Sequence, residues 1–340
     1  MTTARTIDCH THVLTEEAMR LLAKQSPKVA PQLKNIDARG GTLEIDGKVV
    51  QHPLPRENWN IDLRLRDMDA NGVDVQLLSP NVFTFFYGNE LALTQACAAL
   101  QNEEIAAVVR RHPGRFLGLG TVPLQAPQAA ADELRRAMTK LGLRGAMIAT
   151  NVNGRNLDDP ALDPFWSAAE ELGAFIFIHP QVAAAAERLT SYYLKNMVGL
   201  TLETTIAGAS LVFGGVLERF PGLKICLAHG GGYVPYQAGR FQHGWEVREE
   251  AKVRLKNPPA ESIARLYFDT ITHSKTALEF LVQVAGHDHV LLGSDYPFDM
   301  GNLDCVARVR ALSIEPEARD LILGGYARAV LGEPTRHAHA

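Results

Sequence analysis

The chain has 340 residues, 46% of them hydrophobic and 21% charged, which suits a folded globular protein and leaves little room for long disorder. Its formal net charge is -4, from 34 Lys and Arg against 38 Asp and Glu, so there is no basic excess to neutralise phosphates and nucleic-acid binding is not expected. Apolar runs are of strand length, which argues against a membrane span. The start, MTTARTIDCHTH, lacks the basic stretch, apolar stretch and cleavage site of a secretory signal. The scattered cysteines Cys9, Cys97, Cys226 and Cys305 form neither a CxxC pair nor a disulfide framework, which points to a reducing cytoplasm.

In chain order, eight short apolar segments read as strands: Thr6–His12, Val73–Pro80, Phe116–Leu124, Leu143–Thr150, Ala174–Pro180, Lys224–Gly230, Leu266–Thr272 and Val290–Pro297. Several, such as AFIFIHP, are almost continuously apolar, as a sheet buried on both faces requires. Helical patterns separate them, at Ile61–Asn71, Leu91–Arg111, Pro127–Leu141, Leu202–Phe220 and Lys275–Ala285. Alternating strands and helices predict a parallel sheet with right-handed crossovers, and eight such units predict a (β/α)8 barrel. An open doubly wound sheet is the rival, but no GxGxxG follows the first strand.

The expected organisation is a single barrel domain over residues 1–340, with a small β insert at 13–60 lying over its C-terminal face. Within the insert, Asp46-Gly47 between the β-prone runs TLEI and KVVQ is a hairpin signal. The tail EPTRHAHA reads as a frayed end whose His337 and His339 are solvated.

The C-terminal ends of barrel strands form the working face. There the first strand carries His10 and His12, the fifth His179, the sixth His229 and the eighth Asp295. Residues i and i+2 on a strand share a side, so His10 and His12 can bind one ion together. Imidazoles with a carboxylate suit Zn²⁺. Histidines also end buried strands as plain hydrogen-bonded residues, but the joint pattern favours a metal.

The motifs HTH, FIHP, HGGG and GSDYP, with MDANGVDVQ at Met68–Gln76, resemble the amidohydrolase superfamily over nearly the whole chain. The likeness is strongest to its aminocarboxymuconate-semialdehyde decarboxylase branch. The resemblance implies a distorted (β/α)8 TIM barrel with one divalent metal per subunit, Zn²⁺ in the first place and Mn²⁺ as the alternative. It implies His10, His12, His179 and Asp295 as ligands, His229 as acid/base, and Asp295 as a partner in proton transfer. The fourth strand, LRGAMIAT, has no lysine to bridge a second metal.

Other residues leave alternatives open. Phe83, Phe85, Phe86 and Tyr87 wall a ring-shaped substrate or cap the barrel. His273 sits where it could approach the rim, while His112, His243, His287 and His289 read as surface residues. The three glycines after His229 fit no phosphate-binding motif and read as close backbone packing. Arg240 falls about 10 Å along a helix starting near Tyr233, at 1.5 Å per residue, which carries it away from its own metal. The family places an arginine of this helix in a neighbouring subunit's site. The family also has an arginine before a proline in the insert, where this chain has His52 ahead of Pro53, with Arg56 nearby. His52, Arg56, Arg240 and Phe298 are the candidate substrate contacts.

The expected activity is metal-dependent, non-oxidative decarboxylation of a small aromatic, heteroaromatic or muconate-type carboxylate. The rival uses the same site as a hydrolase or hydratase of an amide, lactone or activated double bond. The expected partner is a second copy of the chain, in a homodimer that donates Arg240 across a two-fold axis.

Overall fold

The computed structural model of the chain describes residues 5–333, so the expectations for His337 and His339 lie outside the described residues. All eight barrel strands are present, in the expected order: Ile7–Val13, Val75–Pro80, Phe116–Gly118, Gly145–Ala149, Phe175–His179, Lys224–Leu227, Tyr267–Asp269 and Val290–Leu291. Strands 1 to 3 form one parallel sheet and strands 4 to 8 another. Two seams close the barrel. Strand 1 is sewn to the chain after strand 8 by Cys9 N–H to Leu292 O at 2.8 Å, Asp295 N–H to His10 O at 2.9 Å and His12 N–H to Tyr296 O at 2.7 Å. Strand 3 meets strand 4 through Gly120 N–H to Gly145 O and Met147 N–H to Gly120 O, both 2.9 Å.

The strands are shorter than the apolar runs because the chain leaves the ladder at the rim. After strand 8 this departure is visible at Asp295, whose φ of 60° is left-handed. Inside, Phe175, Ile176, Phe177 and Ile178 are fully buried, so strand 5 has no solvent face. Each such side chain contributes roughly 1.5–3 kcal/mol on burial.

Leu91–Arg111 and Lys275–Ala285 form helices with the predicted bounds. The helix Ile61–Asn71 starts on Asn60, whose side chain accepts from Leu63 N–H, and ends at Gly72 in the left-handed region (φ 71°). This is the glycine stop that Asn-Gly announces. The expected helix Leu202–Phe220 is broken instead. Thr201–Phe213 and Val216–Arg219 are separated at Gly215, whose φ is 66°. A π-helical turn, Lys195–Leu200, runs into the first piece. The 19 residues Lys195–Phe213 are thus the one described helix long and apolar enough to cross a membrane, which corrects the expectation that all apolar runs are short. Here it belongs to the barrel's outer ring, and its Glu203 accepts from Asn151 Nδ2 at 2.6 Å.

Between strand 1 and the first barrel helix lies a three-stranded antiparallel sheet, Gln32–Lys34, Gly40–Ile45 and Lys48–Pro55. Asp46 and Gly47 both have positive φ, 51° and 69°, the two-residue turn whose twist matches a hairpin. A helix, Glu16–Gln25, precedes the sheet and was not anticipated. It buries Ala18, Met19 and Leu22, with Glu16 and Glu17 in its first turn and Lys24 in its last. Leu14, Met19, Leu43 and Leu54 make a small core here, and Trp59, Phe83 and Phe298 pack against it.

Candidate metal centre

His10, His12, His179 and Asp295 converge at the rim, each buried, with one ligand atom apiece all within 4.8 Å of one another. No other such group of His, Cys, Asp and Glu occurs among the described residues. The outer nitrogen of each imidazole is tied back. His10 Nδ1 is 2.7 Å from Asp269 Oδ2, His179 Nδ1 is 2.8 Å from Pro180 O, and His12 Nδ1 is 3.4 Å from Pro80 O. Carbonyl and carboxylate oxygens only accept, so each Nδ1 carries a proton, and whenever the ring is neutral its Nε2 presents a lone pair inward.

Those lone pairs face one another. His10 Nε2 and His12 Nε2 are 3.0 Å apart, and Asp295 Oδ1 lies 3.2 and 3.0 Å from them. His179 Nε2, 3.8 Å from the same oxygen, is buried without a hydrogen-bond partner. Four acceptors packed so closely out of water repel unless a cation sits among them. The donor set therefore fits a divalent metal.

The electrostatics agree. Burial opposes a charge on His10, but Asp295 and Asp269 outweigh it and push its pKa up to about 10. Burial pushes His12 down and His179 well below the ordinary histidine value. Burial also opposes the Asp295 carboxylate, yet His10, His12 and His179 hold it well below the usual range. Asp269 and Asp295 thus favour a single positive charge at this point, on His10 or on an ion among the four ligands, and burial keeps His12 and His179 neutral.

His229 stands beside the four. Its Nε2 is 3.4 Å from Asp295 Oδ2, and its ring centroid is 4.9 Å from that of His179. Its backbone is left-handed, with φ 57° and ψ 51°. The following glycines serve close packing, as expected. A Cβ on Gly231 would lie 2.4 Å from the Phe268 ring, and one on Gly232 would lie 2.2 Å from Thr201 O.

Beneath the centre, the Phe177 ring lies 4.7 Å from that of His10. The fully buried Arg64 binds the His12 carbonyl and Gln76 Oε1 (3.0 Å), and its guanidinium stacks 4.7 Å over the Tyr296 ring. Burial pulls its pKa down to about 10.

A cavity of about 530 Å³ reaches His229 and Asp295. Its walls are mainly apolar, with Leu200, Ile271, Phe280 and Leu281, and His273 also lines it. No Lys or Arg is among its lining residues.

The four candidate substrate contacts are dispersed. The Phe298 ring is 4.9 Å from that of His12 and also packs against the insert. His52 is exposed, with Nδ1 2.9 Å from Thr42 Oγ1, and Arg56 is half-buried; neither lines that cavity. Arg240 is exposed on the helix Val234–Val247, with no hydrogen bond or ion pair among the described residues. Phe85 and Tyr87 stack at 5.6 Å within the barrel core, which answers to capping, while Phe83 turns toward Phe298 and Trp59.

Asp269 was missed. It ends strand 7 in the structure, whereas the apolar run Leu266–Thr272 places it mid-strand, so the strand-end rule passed over it.

A model of the family described as Amidohydrolase matches residues 7–332. The chain is similar to the 2-amino-3-carboxymuconate-6-semialdehyde decarboxylase of Dictyostelium discoideum, with 37% identity over 335 residues, 97% of this chain and 93% of that one. Among solved structures, 5-carboxyvanillate decarboxylase from Sphingomonas paucimobilis superposes with a TM-score of 0.83 at 26% identity, covering 97% of this chain and 99% of that one. The dihydroxybenzoic acid decarboxylase of Polaromonas sp. JS666, solved with manganese and 2-nitroresorcinol, shares the fold with a TM-score of 0.78 at 23% identity over 97% of each chain. Matched along almost its entire length both to the family model and to a curated relative, the chain belongs to the amidohydrolase family.

Proposed function

We propose that the chain is a metal-dependent, non-oxidative carboxy-lyase acting on a small aromatic, heteroaromatic or muconate-type carboxylate. The observation that carries this reading is a half-buried imidazole, His229, 3.4 Å from the free oxygen of the ligand Asp295 on the wall of a largely apolar cavity. The full-length likeness to a decarboxylase supports it.

One divalent ion held by His10, His12, His179 and Asp295 supplies Lewis acidity and a fixed positive charge. The cavity walls exclude water and hold the unsaturated skeleton of the substrate, and Phe298, packed beside His12, is a further contact outside those walls. The bond between the ring carbon and the carboxylate breaks, carbon dioxide leaves, and the electron pair stays on carbon within the unsaturated system. His229 delivers the proton that makes the new C–H bond and is reprotonated from solvent, with Asp295 orienting its Nε2. Zinc is the first assignment for the ion, from the three-imidazole donor set, with manganese as the alternative.

The cavity offers a second acidic group of the substrate no Lys or Arg among its own lining residues. A homodimer in which the partner subunit's Arg240 reaches the cavity fills that gap, and the exposed, unpaired Arg240 is free to do so. His52 and Arg56, which lie on the insert and outside the cavity lining, are further candidate contacts for a part of the substrate that extends beyond it. The chain is read as one barrel domain over 1–340 with its insert at 13–60. Its four buried, unpaired cysteines suit the cytoplasm.

The test is a carbon dioxide release screen of hydroxybenzoates, hydroxylated pyridine carboxylates and aminocarboxymuconate semialdehyde with zinc-loaded enzyme. Release that stops on chelation and returns with metal is expected. Release that survives complete metal removal contradicts the mechanism, and a product that keeps its carboxylate and gains water makes the chain a hydratase or hydrolase.

A further inference from the structure

We infer that Asp269 is a positioning residue that ties the metal ligand His10 and the acid/base His229 to one buried carboxylate, an inference that rests on the decarboxylase reading above. Asp269 ends strand 7 and is fully buried. Four donors meet it. Its Oδ2 accepts from His10 Nδ1 at 2.7 Å and from the His229 N–H at 2.9 Å. Its Oδ1 accepts from the N–H groups of Gly230 at 2.7 Å and Ile271 at 3.0 Å.

The backbone explains why a carboxylate is needed. His229 and Gly230 are successive left-handed residues, with φ of 57° and 60°. A non-glycine residue keeps that conformation only when its surroundings hold it. Successive N–H groups in such a turn converge on one side and make a small anion-binding concavity. Here the anion is Asp269. It turns the His229 ring toward Asp295 by holding the His229 main chain, and it turns His10 Nε2 inward by accepting from Nδ1.

Space is reserved for this contact. Gly293 lies opposite, and a Cβ there would come within 2.9 Å of Asp269 Cβ and 3.0 Å of His10 Cβ. An asparagine at 269 would present an NH₂ group, a donor, to partners that are all donors. It therefore loses at least two of the four bonds while keeping nearly the same volume. With Asp295, Asp269 also supplies the two negative charges that balance a divalent ion.

The experiment uses the full chain with Asp269→Asn, His229→Asn and the double variant. Zinc affinity is measured by competition with a chromophoric chelator, and kcat and KM are measured at saturating zinc. Asp269→Asn is expected to weaken zinc about 10- to 100-fold, the usual cost of losing the partner of a ligating histidine. It is also expected to lower kcat at saturating zinc by about tenfold or more with KM little changed, because His229 is no longer aimed. In the His229→Asn background the same change should still weaken zinc, yet lower residual kcat by less than about threefold, since its effect on turnover runs through His229. Zinc affinity and kcat both within about twofold of the parent, or full multiplication of the two kcat losses, overturn the proposal. If Asp269→Asn does not fold, Asp269→Glu is read instead. Joint loss of zinc affinity and kcat supports the role, and unchanged values overturn it. Should the parent release no carbon dioxide, the decarboxylase reading fails, while zinc binding still judges the hold on His10.

Discussion

The metal centre and the cavity above it are built on opposite plans. At the centre, each ligand histidine is buried and has its outer nitrogen bound, to Asp269, Pro80 O or Pro180 O. In the cavity, His273 and Tyr236 are exposed, and no Lys or Arg lines the walls. A rigid centre serves a reaction whose charge changes occur at one fixed place, because preorganised groups need no rearrangement as the bond breaks. The more open cavity leaves recognition of a second acidic group on the substrate to residues beyond its own walls. The chemistry thus belongs to the single chain, and selectivity to whatever completes the mouth.

The comparison can be broken at either end. The largest effect is expected at the centre, where His229→Asn should lower turnover by about 10²–10⁴-fold, the usual worth of a general acid. Metal content measured by atomic emission should stay at one ion per chain, and loss of the ion would make His229 a ligand instead. At the cavity, Arg240→Ala, which on the proposed dimer removes the cation each site borrows, should lower kcat/KM by about 10- to 100-fold, as for one charge-assisted bidentate contact. Mixing it with His229→Asn should restore part of the activity, because one site of a mixed dimer then holds both intact groups. No recovery after confirmed subunit exchange would return Arg240 to the surface.

Smaller effects concern stability. Phe177→Ala empties the floor under His10 and should cost about 3–5 kcal/mol by denaturant unfolding, whereas truncating the exposed Tyr236 should cost far less. The pH dependence follows from Asp269 and Asp295, both held below the ordinary carboxylate pKa of 3.8 in the fold. Near that pH the unfolded chain binds more protons than the folded one, so their contribution is present above it and lost as pH falls through their folded values. Urea titrations of the metal-free chain between about pH 3 and 6 should show this loss, and Asp295→Asn should flatten it.

What could be read from the sequence followed its periodicities. Apolar runs marked eight strands, and their last residues marked the ligands, because a parallel barrel puts every strand end on one rim. Asp46-Gly47 was legible because only a few residue types accept positive φ. The helix Glu16–Gln25 went unread although Ala18, Met19 and Leu22 carry a helical spacing, since neighbouring β-prone runs drew the whole insert toward strands. The π-helical turn at Lys195–Leu200 has no comparable pattern, as its hydrogen bonds shift with packing rather than composition. Asp269 was legible neither in position, since the apolar run continues to Thr272, nor in role, because a carboxylate that serves His10 and His229 together appears only once strands 1, 6 and 7 are side by side.

The most direct measurement of the central claim is turnover in deuterium oxide with a carboxyl-labelled acid, followed by mass spectrometry of both products. The account predicts labelled carbon dioxide equal to the acid consumed, and one deuterium on the carbon that lost the carboxylate. A product that retains the labelled carbon and carries the elements of water would contradict it.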